Sequence, residues 1–229
     1  MIKSYQDYQY YLEADRIANG RSRIRFLSAQ WFYLLFHKEY KMKYLRVLRK
    51  LEYYENCKRG ILSKILSFYL HSRLHRLKLK TGFQIKPNCF GPGLSISHYG
   101  FVIVNGATKI GNNCRIHAGA NIGTSAGYSD KAPVIGNNVY IGPGVKIFGT
   151  ITIADNIAIS ANSVVNKDFM EPGITLGGMP ARKIGDNGSR GILIRASDII
   201  YLNLEREIKG KDTVDIERIL SEREANERD

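Results

Sequence analysis

The chain has 229 residues, 44% of them hydrophobic and 10% aromatic, which excludes a disordered or fibrous protein and fits one or two folded domains. Its formal net charge of +13 is unevenly spread: residues 1–80 carry +12, residues 81–190 carry +4 and residues 191–229 carry −3. Cys57, Cys89 and Cys114 lie far apart with no CxxC spacing, so neither a disulfide framework nor a zinc knuckle is implied and a reducing, cytoplasmic compartment is expected.

Residues 1–80 read as a basic α-helical domain. Met1 to Ala18 mixes tyrosines with Asp7, Glu13 and Asp15 and has no apolar centre, unlike a secretory signal. Helices are predicted over Tyr5–Ala18, stopped by Asn19-Gly20, and over Arg23–Phe36, Lys38–Tyr54 and Ile61–Leu79, the last ending before Gly82. The apolar run Phe26–Phe36 is too short to span a bilayer. These helices are expected to pack together and to cap the open end of the repeat that follows. Their charges are interleaved with apolar residues at helical spacing, which leaves open a solvated face or a peripheral contact with a membrane surface or an anionic glycan. No nucleic-acid module is visible, and no nucleic-acid partner is expected.

Residues 81–185 carry the most regular feature. Aliphatic residues recur at every sixth position at Ile110, Ile116 and Ile122, then at Ile135, Ile141, Ile147, Ile153, Ile159 and Val165, with glycine after several of them. A helix repeats every ~3.6 residues and a half-buried strand alternates, so neither accounts for the pattern. The spacing predicts a left-handed parallel β-helix: three hexapeptides make one triangular coil, with the aliphatic residue inward on each face and glycine relieving the backbone at the corner. The fold class is therefore mainly β with an α-helical N-terminal segment. Between Ile122 and Ile135 the step is 13 residues instead of 6, so 7 residues within Thr124–Pro133 must leave the coil as a loop. Loops that leave a rigid solenoid commonly line its binding site. Residues 186–229 form a C-terminal helical tail, with polar helices predicted over Ser197–Glu207 and Asp215–Arg228.

The stretches Ile85-Lys86-Pro87, Gly91-Pro92-Gly93-Leu94-Ser95-Ile96-Ser97-His98-Tyr99-Gly100 and Gly178-Met179-Pro180-Ala181-Arg182, with the coils between them, resemble the serine O-acetyltransferase group of hexapeptide-repeat acyltransferases. The resemblance covers about residues 83–185. It implies acetyl-CoA as the donor, assembly as a homotrimer or a dimer of trimers, and an active site in the cleft between neighbouring β-helices. Acetyl transfer to a hydroxyl needs a base for the hydroxyl proton and donors for the developing oxyanion. Imidazole is the natural base at neutral pH. Of the five histidines, His98 falls where the family carries its catalytic histidine and is expected to be the general base. By the same resemblance Gly123 and Thr124 supply the oxyanion donors, and the pantetheine arm of CoA runs past Gly142-Pro143 and Ser160-Ala161, where small residues admit it to the backbone. Lys167, Arg182 and Lys183 would meet the CoA phosphates, Arg182 being favoured by its forked guanidinium. His117 lies about one coil from His98, but zinc needs a third ligand that the coils do not offer, so no metal is expected.

Around the acceptor the chain departs from the family pattern. Serine acetyltransferases place an aspartate before the catalytic histidine, where this chain has Ser97; their carboxylate partner of that histidine aligns with Gln84, and their Arg-His pair in the loop with Lys131-Ala132. A serine zwitterion asks for an acidic and a basic partner, of which Asp130 and Lys131 remain. A neutral polyol asks for hydroxyl and amide contacts, and Ser97, Tyr99, Asn105 and Ser129 could supply them. The expectation is an acetyl-CoA-dependent O-acetyltransferase acting on a hydroxyl of a saccharide in capsule or other surface-polysaccharide biosynthesis. Serine O-acetylation in cysteine biosynthesis is the alternative, and a non-catalytic trimeric β-helix scaffold the third reading.

Overall fold

A computed structural model of the chain describes residues 1–21, 39–208, 215 and 218. The helix expected over Arg23–Phe36 and nearly all of the one expected over Asp215–Arg228 lie outside the described residues. In chain order the elements are helices α1 (Tyr5–Ala18), α2 (Tyr40–Cys57) and α3 (Ile61–Thr81), then strands β1 (Phe83–Ile85), β2 (Ser95–Ile96), β3 (Val102–Val104), β4 (Lys109–Ile110), β5 (Arg115–Ile116), β6 (Asn121–Gly123) and β7 (Val134–Ile135). They continue with β8 (Tyr140–Ile141), β9 (Lys146–Phe148), β10 (Thr152–Ile153), β11 (Ala158–Ile159), β12 (Val164–Val165), β13 (Thr175–Gly177), β14 (Arg182–Gly185) and helix α4 (Ala196–Ile208).

From β2 to β12 consecutive strands are dealt to three sheets in turn, β1-β3-β6-β9-β12, β4-β7-β10, and β2-β5-β8-β11-β13, the last extended by β14, with single bridges at Phe90 and Phe169 continuing the middle sheet at its two ends. Every pairing is parallel except that of β13 with β14. Three strands therefore complete one turn of a triangular prism, and the fold is the left-handed parallel β-helix expected from the period. Register confirms the arithmetic of the repeat. Ile135 pairs with Ile153, Ile141 with Ile159 and Ile147 with Val165, each 18 residues on. Where the loop intervenes, Ile110 pairs with Ile135, Ile116 with Ile141 and Ile122 with Ile147, each 25 residues on, so the coil below and the coil above stay in step while 7 residues leave.

The nine aliphatic residues of the period are all at most 5% exposed, so the period does mark the inward positions. A second inward set stands two residues earlier, at Thr108, Cys114, Ala120, Val139, Val145, Ile151, Ile157 and Ser163, and fills the prism beside each corner. Burial pushes the Cys114 thiol far above its ordinary range and that of Cys89 up to about 11. Both are packing residues rather than reactive ones.

The corners correct one expectation. The glycines after the isoleucines are not there to relieve a left-handed backbone; they let one coil lie on the next. A Cβ on Gly111 would meet the Gly136 carbonyl carbon at 2.8 Å, and one on Gly142 would meet the Ile159 carbonyl oxygen at 2.7 Å. Much of the left-handed conformation falls to asparagine, at Asn113, Asn138 and Asn156, with φ of 56°, 55° and 62°. Asparagine tolerates that region because its short amide bonds locally. Here the amides bond along the prism instead: Asn113 Nδ2 donates to Asn138 Oδ1 (2.8 Å) and Asn138 Nδ2 to Asn156 Oδ1 (3.0 Å).

The helices cap the first coil. Ser4 caps α1 by accepting the Asp7 N–H at 3.0 Å, and the predicted stop at Asn19-Gly20 holds, with Asn19 also donating to the Leu94 carbonyl of the coil at 2.8 Å. Helix α2 begins and ends slightly later than the pattern suggests, and α3 runs on to Thr81 before Gly82 turns the chain into β1. The joint is a buried charge cluster. Arg49 of α2, fully buried, donates to both Asp15 oxygens (2.8 and 3.3 Å), to Glu52 (3.0 Å) and to the carbonyls of Phe90 and Gly91 (2.9 and 2.7 Å). Asp15 accepts the N–H groups of Gly93 and Leu94, and Glu52 that of Asn88. One guanidinium thus ties two helices to the opening turn of the prism.

Candidate active site

The turns after β2, β5, β8 and β11 stack into one edge of the prism. The N–H groups of Ser97, His117, Gly142 and Ser160 donate to the carbonyls of Ile116, Ile141, Ile159 and Leu176 in the next coil, at 2.8–3.1 Å. Ser97-His98, His117, Gly142-Pro143 and Ser160-Ala161 therefore follow one another along a single edge, between the sheet of β2 and the sheet of β1.

The polar contacts concentrate in the first two of these turns. Arg115 Nε donates to Ser97 Oγ at 3.0 Å, and its other arm is anchored on the Ile192 carbonyl at 3.1 Å. Ser97 Oγ lies 3.0 Å from His117 Nε2. With Arg115 donating to the hydroxyl oxygen, the Ser97 proton is left for His117 Nε2, which accepts it as a neutral ring carrying its own proton on Nδ1. Burial, then the Arg115 cation and His98, push His117 down to about 4. Its ring packs edge-on against Tyr140, with centroids 5.1 Å apart, and lies 5.8 Å from the ring of His98. His98 is exposed. The edge thus presents one imidazole to solvent and holds a second, neutral one beside it.

This arrangement has a pH signature. The unfolded chain protonates His117 near its ordinary value of 6.5, the folded chain only near about 4. Over that window the unfolded state binds more protons, so this group makes stability fall as pH drops from about 6.5 toward 4. Thermal melting across that range should show a smaller loss for His117→Gln than for the unmodified protein. Identical pH dependence in the two would remove His117 as its source.

The other predicted residues are distributed as follows. Asn105, Gly123-Thr124 and Lys167 stand on a second edge, between the sheet of β1 and the sheet of β4, and the loop Thr124–Pro133 leaves from there. Ser125 N–H donates to the Lys131 carbonyl (3.0 Å) across that loop, and Lys131 Nζ sits 3.4 Å from the centroid of the Tyr128 ring. Asp130 and Lys131 are exposed. A whole sheet separates the two edges, so one chain does not bring its own His98 together with Gly123, Thr124, Asn105, Asp130, Lys131 or Lys167. Tyr99 turns toward the helices, its ring stacked on Phe83 and its hydroxyl accepting the Lys41 N–H at 3.4 Å. Gly142 has the coil-stacking reason given above for being small, independent of any ligand. Lys183 meets Glu171 (2.6 Å) and Asp186 (2.7 Å), carboxylates that compete with a phosphate, whereas Arg182 is exposed. Among the described residues no group of three or more His, Cys, Asp or Glu is placed to hold a metal ion.

Arg115 and Tyr140 escaped the sequence reading. The available signal was vertical: Arg115 and His117 are alternate residues that fall on Ser95 and Ser97 one coil earlier, and the register of β2 on β5 sets them side by side.

No protein-family profile matches the chain. It is 31% identical over 166 residues to a serine acetyltransferase of Staphylococcus aureus, covering 72% of this chain and 67% of that one. It is 36% identical over 118 residues to a serine acetyltransferase of Synechococcus elongatus. There the match covers 51% of this chain and 48% of the relative, so the chain spans about half the length of that relative, and 61% of a 36% identical Helicobacter pylori serine acetyltransferase. Among solved structures, Neisseria gonorrhoeae serine acetyltransferase superposes with a TM-score of 0.61 at 26% identity, over 80% of this chain and 68% of that one. The Brucella abortus serine acetyltransferase in complex with coenzyme A gives 0.60 at 26% identity, over 80% of this chain and 70% of that one. The triangular prism together with these relatives places the chain in the hexapeptide-repeat acyltransferase class. Within that class the chain belongs to the serine acetyltransferase family.

These findings correct the saccharide acceptor and its capsule setting. The relatives and structures named are serine acetyltransferases, and none acts on a saccharide by name. The expectation erred by weighing only positions aligned along the sequence. Arg115 carries a cation into hydrogen-bond contact with Ser97 from the neighbouring coil, a charge that alignment along one strand does not reveal.

Proposed function

We propose that the protein is an acetyl-CoA-dependent serine O-acetyltransferase with His98 as general base. The observation that carries this reading is the edge itself: His98 exposed at its first turn, in a chain of the serine acetyltransferase family. His98 takes the proton of the serine hydroxyl as its oxygen attacks the thioester carbonyl; the C–S bond then breaks and the CoA sulfur leaves with that proton. Gly123 and Thr124 stabilise the oxyanion. Because they stand on a different edge from His98, the complete site forms where the loop edge of one copy meets the His98 edge of another, and the working unit is a homotrimer or a multiple of it. The CoA arm follows the edge past Pro143 and Ala161 toward Arg182. Arg115, with Lys131, meets the serine carboxylate, and Asp130 meets the ammonium.

Two supports come from the relatives: the Brucella abortus structure is a complex with coenzyme A, and a soybean serine acetyltransferase, superposing with a TM-score of 0.60 at 26% identity, is complexed with serine. The test is release of free CoA from acetyl-CoA, followed with and without L-serine, with O-acetylserine identified as the product. Arg115→Met should raise KM for serine by roughly tenfold, as expected when a charge-assisted contact is lost, with kcat less affected. Serine-independent CoA release at an unchanged rate would overturn the assignment of the acceptor.

A further inference from the structure

Among the described residues the outer face of α3 is an exposed apolar surface that neither packing nor the active edge explains. Its inner face is ordinary, with Leu70, Leu74 and Leu77 buried in the main core. On the opposite side Ile61, Ile65 and Phe68, spaced by four and three residues, are 75%, 62% and 75% exposed, and Leu79 continues the line at 76%. Leu62 and Tyr69 widen it. A helix that is apolar on two opposite sides is satisfied on only one of them by a single core. Helical periodicity places Lys64 along one flank of this stripe, Arg73 and Lys80 along the other, and Arg76 within its last turns. No Asp or Glu occurs in the chain between Glu55 and Asp130, and Glu55 is engaged by His71 at 2.7 Å. Among the described residues no carboxylate pairs with Lys64, Arg73 or Arg76.

We propose that this face of α3 docks on a membrane surface bearing anionic lipid headgroups. An apolar stripe bordered by cations on both flanks has the form of a helix lying in the interface: Ile61, Ile65 and Phe68 enter the acyl boundary while the ammonium and guanidinium groups stay at the level of the phosphates. Charge complementarity selects this occupant. In the proposed trimer the copies meet along the edges of the prism, and a two-fold pairing of this face with itself would set cations against cations. A soluble polyanion would use the cations but leave the apolar stripe in water. No described helix is long and apolar enough to cross a membrane, so the contact is peripheral.

The full chain should be sedimented with vesicles of phosphatidylcholine alone and of phosphatidylcholine with phosphatidylglycerol. It should pellet with the anionic vesicles, and the bound fraction should fall several-fold, about fivefold or more, when salt is raised enough to bring the Debye length to about 3 Å. Ile65→Glu/Phe68→Glu should lower the bound fraction by about tenfold or more, with melting temperature and acetyl transfer unchanged, because the stripe supplies the insertion. Arg73→Glu/Arg76→Glu should weaken binding and flatten its salt dependence. Three results would overturn the proposal: an unmodified protein that stays in the supernatant with both vesicles, an Ile65→Glu/Phe68→Glu variant that pellets like the unmodified protein, or one whose sole change is a smaller sedimenting species, which would make the face a contact between copies.

Discussion

Replacement of His98 by alanine should lower turnover by about 10²- to 10⁴-fold, the usual contribution of a positioned general base. The residue sits in an exposed turn after β2 and its side chain fills no part of the core, so the prism should melt as before. Measuring kcat with saturating serine and acetyl-CoA, alongside a thermal melt, separates loss of chemistry from loss of fold. His117 is the nearest imidazole and the obvious substitute, but it is poorly suited: its Nε2 accepts the Ser97 hydroxyl, and it stays neutral because burial and Arg115 oppose a charge there. A His98→Ala enzyme with an intact fold and near-normal turnover would mean that the base lies elsewhere and that this edge is structural.

Asp15→Ala should destabilise the protein by about 3 kcal/mol or more, the cost of breaking one arm of a buried ion network and leaving two buried N–H groups without an acceptor. Arg49 is fully buried and Asp15 nearly so. Removing the carboxylate leaves the guanidinium with Glu52 and two carbonyls, and strips the Gly93 and Leu94 N–H groups of their acceptor. Since these bonds join α1 and α2 to the first coil, the loss falls on the joint between helices and prism. Urea unfolding should show it as a lower midpoint. A change below about 1 kcal/mol would mean that the cluster relaxes or hydrates when one member is removed, as surface ion pairs do.

The helices were legible from local signals. Tyr5–Ala18 matches its prediction at both ends because its cap and its stop are encoded in adjacent residues, Ser4 and Asn19-Gly20. The end of α2 was less so: Glu55 to Cys57 extend the helix beyond the predicted Tyr54, with Cys57 packed against the cluster of Ile2, Tyr11 and Tyr53 and Asn56 donating to the Ile2 carbonyl, a tertiary reason absent from the local pattern. The candidate base was legible only through its motif. The saccharide acceptor was misread from positions aligned along the chain, which do not show that Arg115 and His117 of the next coil contact Ser97.

By itself the sequence determined the prism. An aliphatic residue at every sixth position can reach one interior only if three short strands turn through a triangle, and the 13-residue step at Ile122 requires a 7-residue excursion and nothing else. The tertiary structure alone decided what stands next to what between coils. It set Arg115 on Ser97, Ser97 on His117 and His117 on Tyr140, aligned Asn113, Asn138 and Asn156 into one column, and drew Asp15, Arg49 and the turn at Phe90–Leu94 into one buried cluster. It also put His98 and the loop on different edges, which is why the proposed site needs a second copy. The physical reason is separation along the chain: inward positions repeat with a fixed local step that a single strand displays, whereas these contacts join residues roughly one coil or more apart, and their chemistry exists only once the coils have stacked.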